Sequence, residues 1–162
     1  MAAAAPPTLT PEPTRRVAPG ARRMWRLEGL VVTLAAAAAA VLLTLSAGGT
    51  AAVLMWIATA LVALVAVGAT PELRWRRWRW EVREAEVDIR HGTFVVTRTL
   101  VPMLRVQHVD TRRGLLEQWL GLATVVFHTA AGANKIPALE VAEAAQVRDR
   151  IAELARHVDD EP

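Results

Sequence analysis

The sequence predicts an α+β membrane protein: a two-helix transmembrane hairpin followed by a small curved sheet or split β-barrel with a C-terminal α-helix. Two observations carry this expectation. No charged residue occurs from Gly29 to Pro71, a run of 43 positions and about twice what one helix needs to cross a bilayer. Beyond it, short runs alternate with period two until Glu140, where the period changes to three and four.

Composition agrees with a membrane protein. The 162 residues are 53% hydrophobic, above the soluble average of roughly 45–50%. The formal charge is +3, divided unevenly. Up to Trp80 nine arginines face three glutamates, a net of +6; from Glu81 onward ten basic residues face thirteen acidic ones, a net of −3. Nucleic-acid binding by the C-terminal half is thereby disfavoured, because such domains concentrate basic charge against phosphates. There is no cysteine, hence no disulfide and no thiolate metal site. Ser46 is the sole serine and lies in the apolar run, which excludes serine or cysteine nucleophilic catalysis.

Residues 1–21, rich in Ala, Pro and Thr, show neither helix nor strand period and are expected to form a disordered tail. The hairpin occupies 22–73. Ser46 to Thr50, small and flexible, breaks the apolar run near its middle. The spans are expected at about Leu27 to Leu45 and Ala51 to Ala69, with Pro71 ending the second. The alanine face of the first span suits close packing against the other. A cleaved signal peptide would have a shorter core and no second span. A buried hairpin of a soluble protein rarely runs so long without charge.

The stretch RWRRWRWE, Arg74 to Glu81, then has a place. Arg22, Arg23, Trp25 and Arg26 precede the first span; Arg74, Trp75, Arg76, Arg77, Trp78 and Arg79 follow the second. Arginine marks the cytoplasmic side and tryptophan favours the headgroup level. These residues are expected to be membrane-interface anchors, with both termini cytoplasmic. Arg–Trp interleaving also suits base stacking, but its place beside the membrane disfavours nucleic acid as a partner, and a tethered segment is no lytic peptide.

The domain is expected over 74–158, with an acidic tail at 159–162. Trp78, Trp80 and Val82 alternate with Arg79, Glu81 and Arg83 as a first strand. Val87 and Ile89 continue the pattern, His91-Gly92 reads as a turn, and Phe94 to Thr97 as the returning strand. Leu100 to Asp110 contains another strand with Pro102 at its start or at an edge. ATVVFHT, Ala123 to Thr129, is the clearest later strand, and Lys135 to Pro137 a short last one. Val141, Ala144, Val147, Ile151, Leu154 and Val158 then place one apolar face on a helix that lacks a good N-cap residue.

The run from Arg105 to Thr124 holds Arg105-Val106-Gln107-His108-Val109-Asp110, Arg113-Gly114 and Trp119-Leu120-Gly121-Leu122-Ala123-Thr124. With Ile136-Pro137, Arg148-Asp149 and the hairpin in front, it resembles the YdbS-like family of bacterial pleckstrin-homology (PH)-type membrane proteins. The resemblance covers about Arg22 to His157. It implies a PH-like split barrel capped by a helix, held at the cytoplasmic face of the bacterial plasma membrane by two spans. It also implies membership of a group with no established enzymatic activity, often paired with a larger multi-span relative bearing several such domains; no enzyme activity and no cofactor are expected. The short apolar loop Ala130 to Asn134 departs from polar contacts expected there in relatives.

Five residues are candidates for contact with a partner or lipid: Arg105, His108, Arg112, Arg113 and Trp119. Guanidinium groups suit bidentate contacts to phosphate or carboxylate; surface pairing with Asp110 or Glu117 is the competing reading. His108 and Asp110 share a strand face near His128, but two histidines without a third clear ligand make a poor metal site, and neither a metal nor a catalytic residue is assigned. In LLEQWLGL, Leu115 to Leu122, the residues Leu116, Trp119 and Leu120 are expected to cover the core; the alternative is an exposed knob against headgroups or a neighbouring protein. The function expected is that of a scaffold or adaptor for another membrane protein, with sensing of anionic lipid as the alternative.

Overall fold

The computed structural model describes residues 11–46 and 48–159. Two long helices come first. Helix α1 spans Gly20–Ser46. A second continuous helix, Gly49–Arg77, consists of α2 (Gly49–Ala63), a π-helical stretch Leu64–Ala69, and α3 (Thr70–Arg77). Both helices are long and apolar enough to cross a membrane. Most of their large apolar side chains face outward, Leu42, Leu45, Leu54, Ile57 and Leu64 among them, unlike those of a soluble core helix. Ala40 and Ala52 are buried where the helices meet, and Trp56 Nε1 donates to Thr44 Oγ1 across the pair at 3.2 Å. Gly48 and Gly49 both take positive φ, which is how so short a connection reverses the chain.

The second helix does not stop at Pro71 as expected. Pro71 falls in the first turn of α3, where its fixed φ and missing N–H are tolerated, and the helix continues to Arg77.

Six strands follow in two antiparallel sheets: β1 (Arg79–Val82), β2 (Glu86–His91) and β3 (Thr97–Pro102); then β4 (Val106–Arg112), β5 (Leu122–Thr129) and β6 (Gly132–Glu140). The short helix α4 (Leu115–Trp119) joins β4 to β5, and α5 (Val141–Asp159) closes the chain. The core lies between the sheets: Trp80, Val87 and Ile89 from the first, Val125, Phe127, Ile136 and Leu139 from the second, with Ala144, Val147 and Ile151 of α5 laid over them. Helix α5 needs no side-chain cap, because the Val141 N–H donates to the Gly121 carbonyl.

Three further expectations need correction. The returning strand begins at Thr97, and Phe94 and Val95 stand exposed in the loop before it. Gly92 explains this: its φ of +133° turns the chain so tightly that a Cβ there would meet the Val95 carbonyl. The last strand is the nine-residue β6, and Ala138 (φ +51°) lies beside the irregularity in its pairing with β5.

The third correction is the largest. Residues 1–10 lie outside the described residues, but 11–19 form a strap instead of a disordered tail. Val17 and Ala18 are in the core, Arg15 bridges to Trp80 on β1, and the Ala18 N–H donates to Ala138 on β6 at 3.0 Å. The strap therefore joins one edge of each sheet. Polar contacts hold its outer end: Arg90 pairs with Glu12, and Arg15 with Glu143 at 3.3 Å.

Candidate docking surface and membrane collar

The arginines and tryptophans flanking the hairpin interleave in space as they do in sequence. Helix α3 runs beside the first turns of α1, so the two sets face each other. The guanidinium of Arg74 lies 4.3 Å over the Trp25 ring, Arg22 lies 4.3 Å over Trp75, and Arg15 lies 4.7 Å over Trp80. Arg22 also reaches Glu72 at 3.4 Å, and Glu72 holds Arg76 at 2.8 Å. Trp25 and Trp78 pack 6.3 Å apart and are buried, as is Trp80. The structure thus turns Trp25 and Trp78 inward, leaving the outer surface of this collar to the exposed Arg23, Arg26, Arg76 and Arg77. Arg79 is half-buried and donates to the Trp78 carbonyl at 2.8 Å.

His91, at the end of β2, stacks on Trp78 at 4.9 Å. Burial holds its imidazole below the ordinary range, and the nearby charges of Arg74 and Lys135 push in the same direction.

The five candidate contact residues do not form one cluster. Arg105 lies just before β4, His108 near its start and Arg112 at its end, so that Arg112 is about 13 Å from His108 at about 3.3 Å per strand residue and farther still from Arg105. His108 stands directly opposite His128, and both address Asp110: Nε2 of His108 at 2.8 Å and of His128 at 3.8 Å. Among the described residues no group of three or more carboxylates and histidines is placed to hold a metal ion. Arg113 is committed to the fold, its Nε donating to the Leu122 carbonyl at 3.2 Å. Neither Arg112 nor Arg113 pairs with Asp110 or Glu117; Glu117 instead accepts from the Gly114 N–H at 2.7 Å and from the Thr124 hydroxyl.

That carboxylate fixes α4. Its first turn is capped by Glu117, its far end is turned by Gly121 at φ +68°, and Leu116 and Leu120 pack on the core. Trp119, expected among the core-covering residues, does not join them: it is 89% exposed, and Leu115 is 83% exposed. Helix geometry is the reason: at about 3.6 residues per turn, residues four apart nearly eclipse, so Leu116 and Leu120 form one row, and Leu115 and Trp119 a second row about a quarter turn away. Helix α4 also lines a groove with Met24 and Glu28, beside the point where α1 becomes uncharged.

Sequence reasoning missed the polar anchor of the first sheet. Asp88 is fully buried and receives two bonds from Arg98, at 2.7 and 3.1 Å, with Arg83 3.5 Å away. The opposed charges at 83, 88 and 98 were visible, but nothing in their spacing placed them on adjacent strands.

Comparison with known proteins accords with this architecture. A family model described as "Bacterial PH domain" matches residues 29–155. The chain is 40% identical over 163 aligned residues to the UPF0699 transmembrane protein YdbS of Bacillus subtilis (strain 168), covering 93% of this chain and 98% of that protein. It is 28% identical over 81 residues to the UPF0699 transmembrane protein YdbT of the same organism, a match covering 50% of this chain but 16% of that longer protein. No solved structure matches. Two apolar helices, two three-stranded sheets, a closing helix and a relative alike over nearly its whole length have one reading: the chain belongs to the bacterial PH-domain family, as a YdbS-like membrane protein.

Proposed function

We propose that this protein is a non-enzymatic, membrane-anchored adaptor. Its PH-like domain sits at the cytoplasmic face of the bacterial plasma membrane and presents α4 to a second membrane protein. The observation that carries the reading is Trp119: the largest side chain on α4 stands almost wholly uncovered on a helix that is otherwise rigidly fixed. An exposed aromatic on a preorganised support is the usual form of an interface anchor. The start of the same helix, Leu115 and Leu116, lines a groove with Met24 and Glu28 of α1, so α4 stands close to the membrane stalk, where the flank of a neighbouring membrane protein passes.

The strap supports the topology. It precedes the hairpin yet shares one core with strands that follow it, so a chain crossing twice keeps both flanks on one side. The arginine-rich collar favours the cytoplasmic side. Arg112, exposed at the end of β4 next to α4, is available to the same partner; Arg105 and His108, at the other end, belong to a separate surface. A longer membrane protein related to this chain, as YdbT of B. subtilis is, has the kind of architecture such a partner would need.

Co-purification tests the reading. The tagged full chain, extracted in mild detergent from its own host, should bring down one recurrent membrane protein in roughly equal amount. Trp119→Ala should lose it while remaining folded. Recovery unchanged by Trp119→Ala and by Leu115→Ala would refute the assignment of α4.

A further inference from the structure

A groove of about 510 Å³ lies between the hairpin stalk and the second sheet. Met24 and Trp25 of α1 line one wall, Leu115 and Leu116 of α4 the other. Arg74, Arg112 and Lys135 enter it from three separate elements, α3, β4 and β6. Among the described residues, none of the three is within ion-pair distance of a carboxylate. Two carboxylates also line the groove, but Glu117 is occupied by the α4 cap and the Thr124 hydroxyl, leaving only the exposed Glu28. The fold thus gathers three cations from separate elements around a groove with two carboxylates, and the positive charge in excess suits an anionic ligand. His91, whose pKa is lowered chiefly by burial, is pushed further down by the charges of Arg74 and Lys135.

The level of the groove identifies the ligand. Glu28 immediately precedes the uncharged run, and Met24 lies five residues before Gly29, about 7–8 Å along the helix. The headgroup layer is about 5–8 Å thick on each side of the hydrocarbon core, so the groove opens among the lipid phosphates. We propose that it holds the phosphate headgroup of one anionic phospholipid of the surrounding leaflet. The three cations contact the phosphate, and the acyl chains pass upward along Met24 and Leu115. Arg112 and Leu115 border both surfaces, but Trp119 is outside the groove and Lys135 inside it, so Trp119→Ala bears on the adaptor reading alone and Lys135→Gln on the lipid site alone.

The test uses the full chain in neutral detergent, titrated with phosphatidylglycerol, phosphatidylcholine or inorganic phosphate, with bound lipid read by native mass spectrometry. One phosphatidylglycerol per chain is expected, bound about tenfold or more tighter than phosphatidylcholine. Arg112→Gln with Lys135→Gln, both at exposed positions, should abolish that preference, whereas Arg23→Gln with Arg26→Gln, on the outer collar, should leave it intact. Arg74→Gln should act like the groove pair; if it fails to fold, the exposed pair alone decides. Equal affinity for the two lipids, or a preference indifferent to the groove pair, would overturn the proposal. So would displacement of the lipid by an equal concentration of inorganic phosphate, which would make the ligand a small anion.

Discussion

Gly29 of α1 and Ala66 of the second helix touch so closely that a methyl group at position 29 would lie 2.3 Å from the Ala66 carbonyl oxygen. The contact falls within the π-helical stretch, just where the hairpin leaves its apolar segment. Gly29→Ala should therefore force the helices apart at a cost of about 1–3 kcal/mol. Thermal unfolding of the detergent-solubilised protein checks this. Gly68→Ala is the contrast, because its Cβ would meet only Leu64, at 4.0 Å, and its midpoint should barely move.

The strap makes the N-terminal flank part of the domain. Val17→Asp would place a charge in the core and should cost at least about 2 kcal/mol. A chain beginning at Gly20 should unfold at lower temperature and be cut more readily by protease than the full chain. Equal protease resistance would show the strap to be dispensable.

Breaking the buried pair in the first sheet should be more costly than breaking any pair on α5. Arg98→Ala leaves the Asp88 carboxylate fully buried with only Arg83, 3.5 Å away. A loss of about 2–4 kcal/mol is expected, somewhat below that of a wholly enclosed pair because Arg98 is partly exposed. Arg150→Ala, which removes a surface pair with Glu153, should change stability by less than about 0.5 kcal/mol. Chemical denaturation of the three proteins compares them directly.

His91 gives the fold a pH dependence of known sign. Its pKa is lower in the folded protein than in the unfolded chain, so the unfolded state takes up the proton first as pH falls. Its contribution to stability is complete above the ordinary imidazole value of about 6.5 and declines as pH drops below it toward the folded pKa. The melting temperature of the native protein should therefore fall more between neutral and mildly acidic pH than that of His91→Phe, which keeps the stack on Trp78 without the titration.

Periodicity made the larger elements legible. The uncharged run, the strand at Ala123 to Thr129 and the apolar face from Ala144 to Leu154 each announced the element found. What stayed hidden depended on contacts between distant residues. The strap has no period of its own, since its order comes from the edges of β1 and β6. The collar tryptophans were visible as a motif, but that Trp25 and Trp78 turn inward depends on α3 continuing beyond Pro71. Within α4 the sequence marked Leu116, Trp119 and Leu120 alike; only the orientation of a five-residue helix separates the residues that cover the core from the one that does not. The groove was illegible because Arg74, Arg112 and Lys135 come from three elements far apart in the chain.

The adaptor reading rests on what Trp119 touches in the cell. A photo-crosslinking amino acid at position 119 of the full chain, activated in living cells, should give one discrete adduct with a membrane protein, and none from the exposed position 150 on α5. Adducts with lipid alone at position 119, or protein adducts equally abundant from both positions, would contradict the claim that α4 is the docking surface.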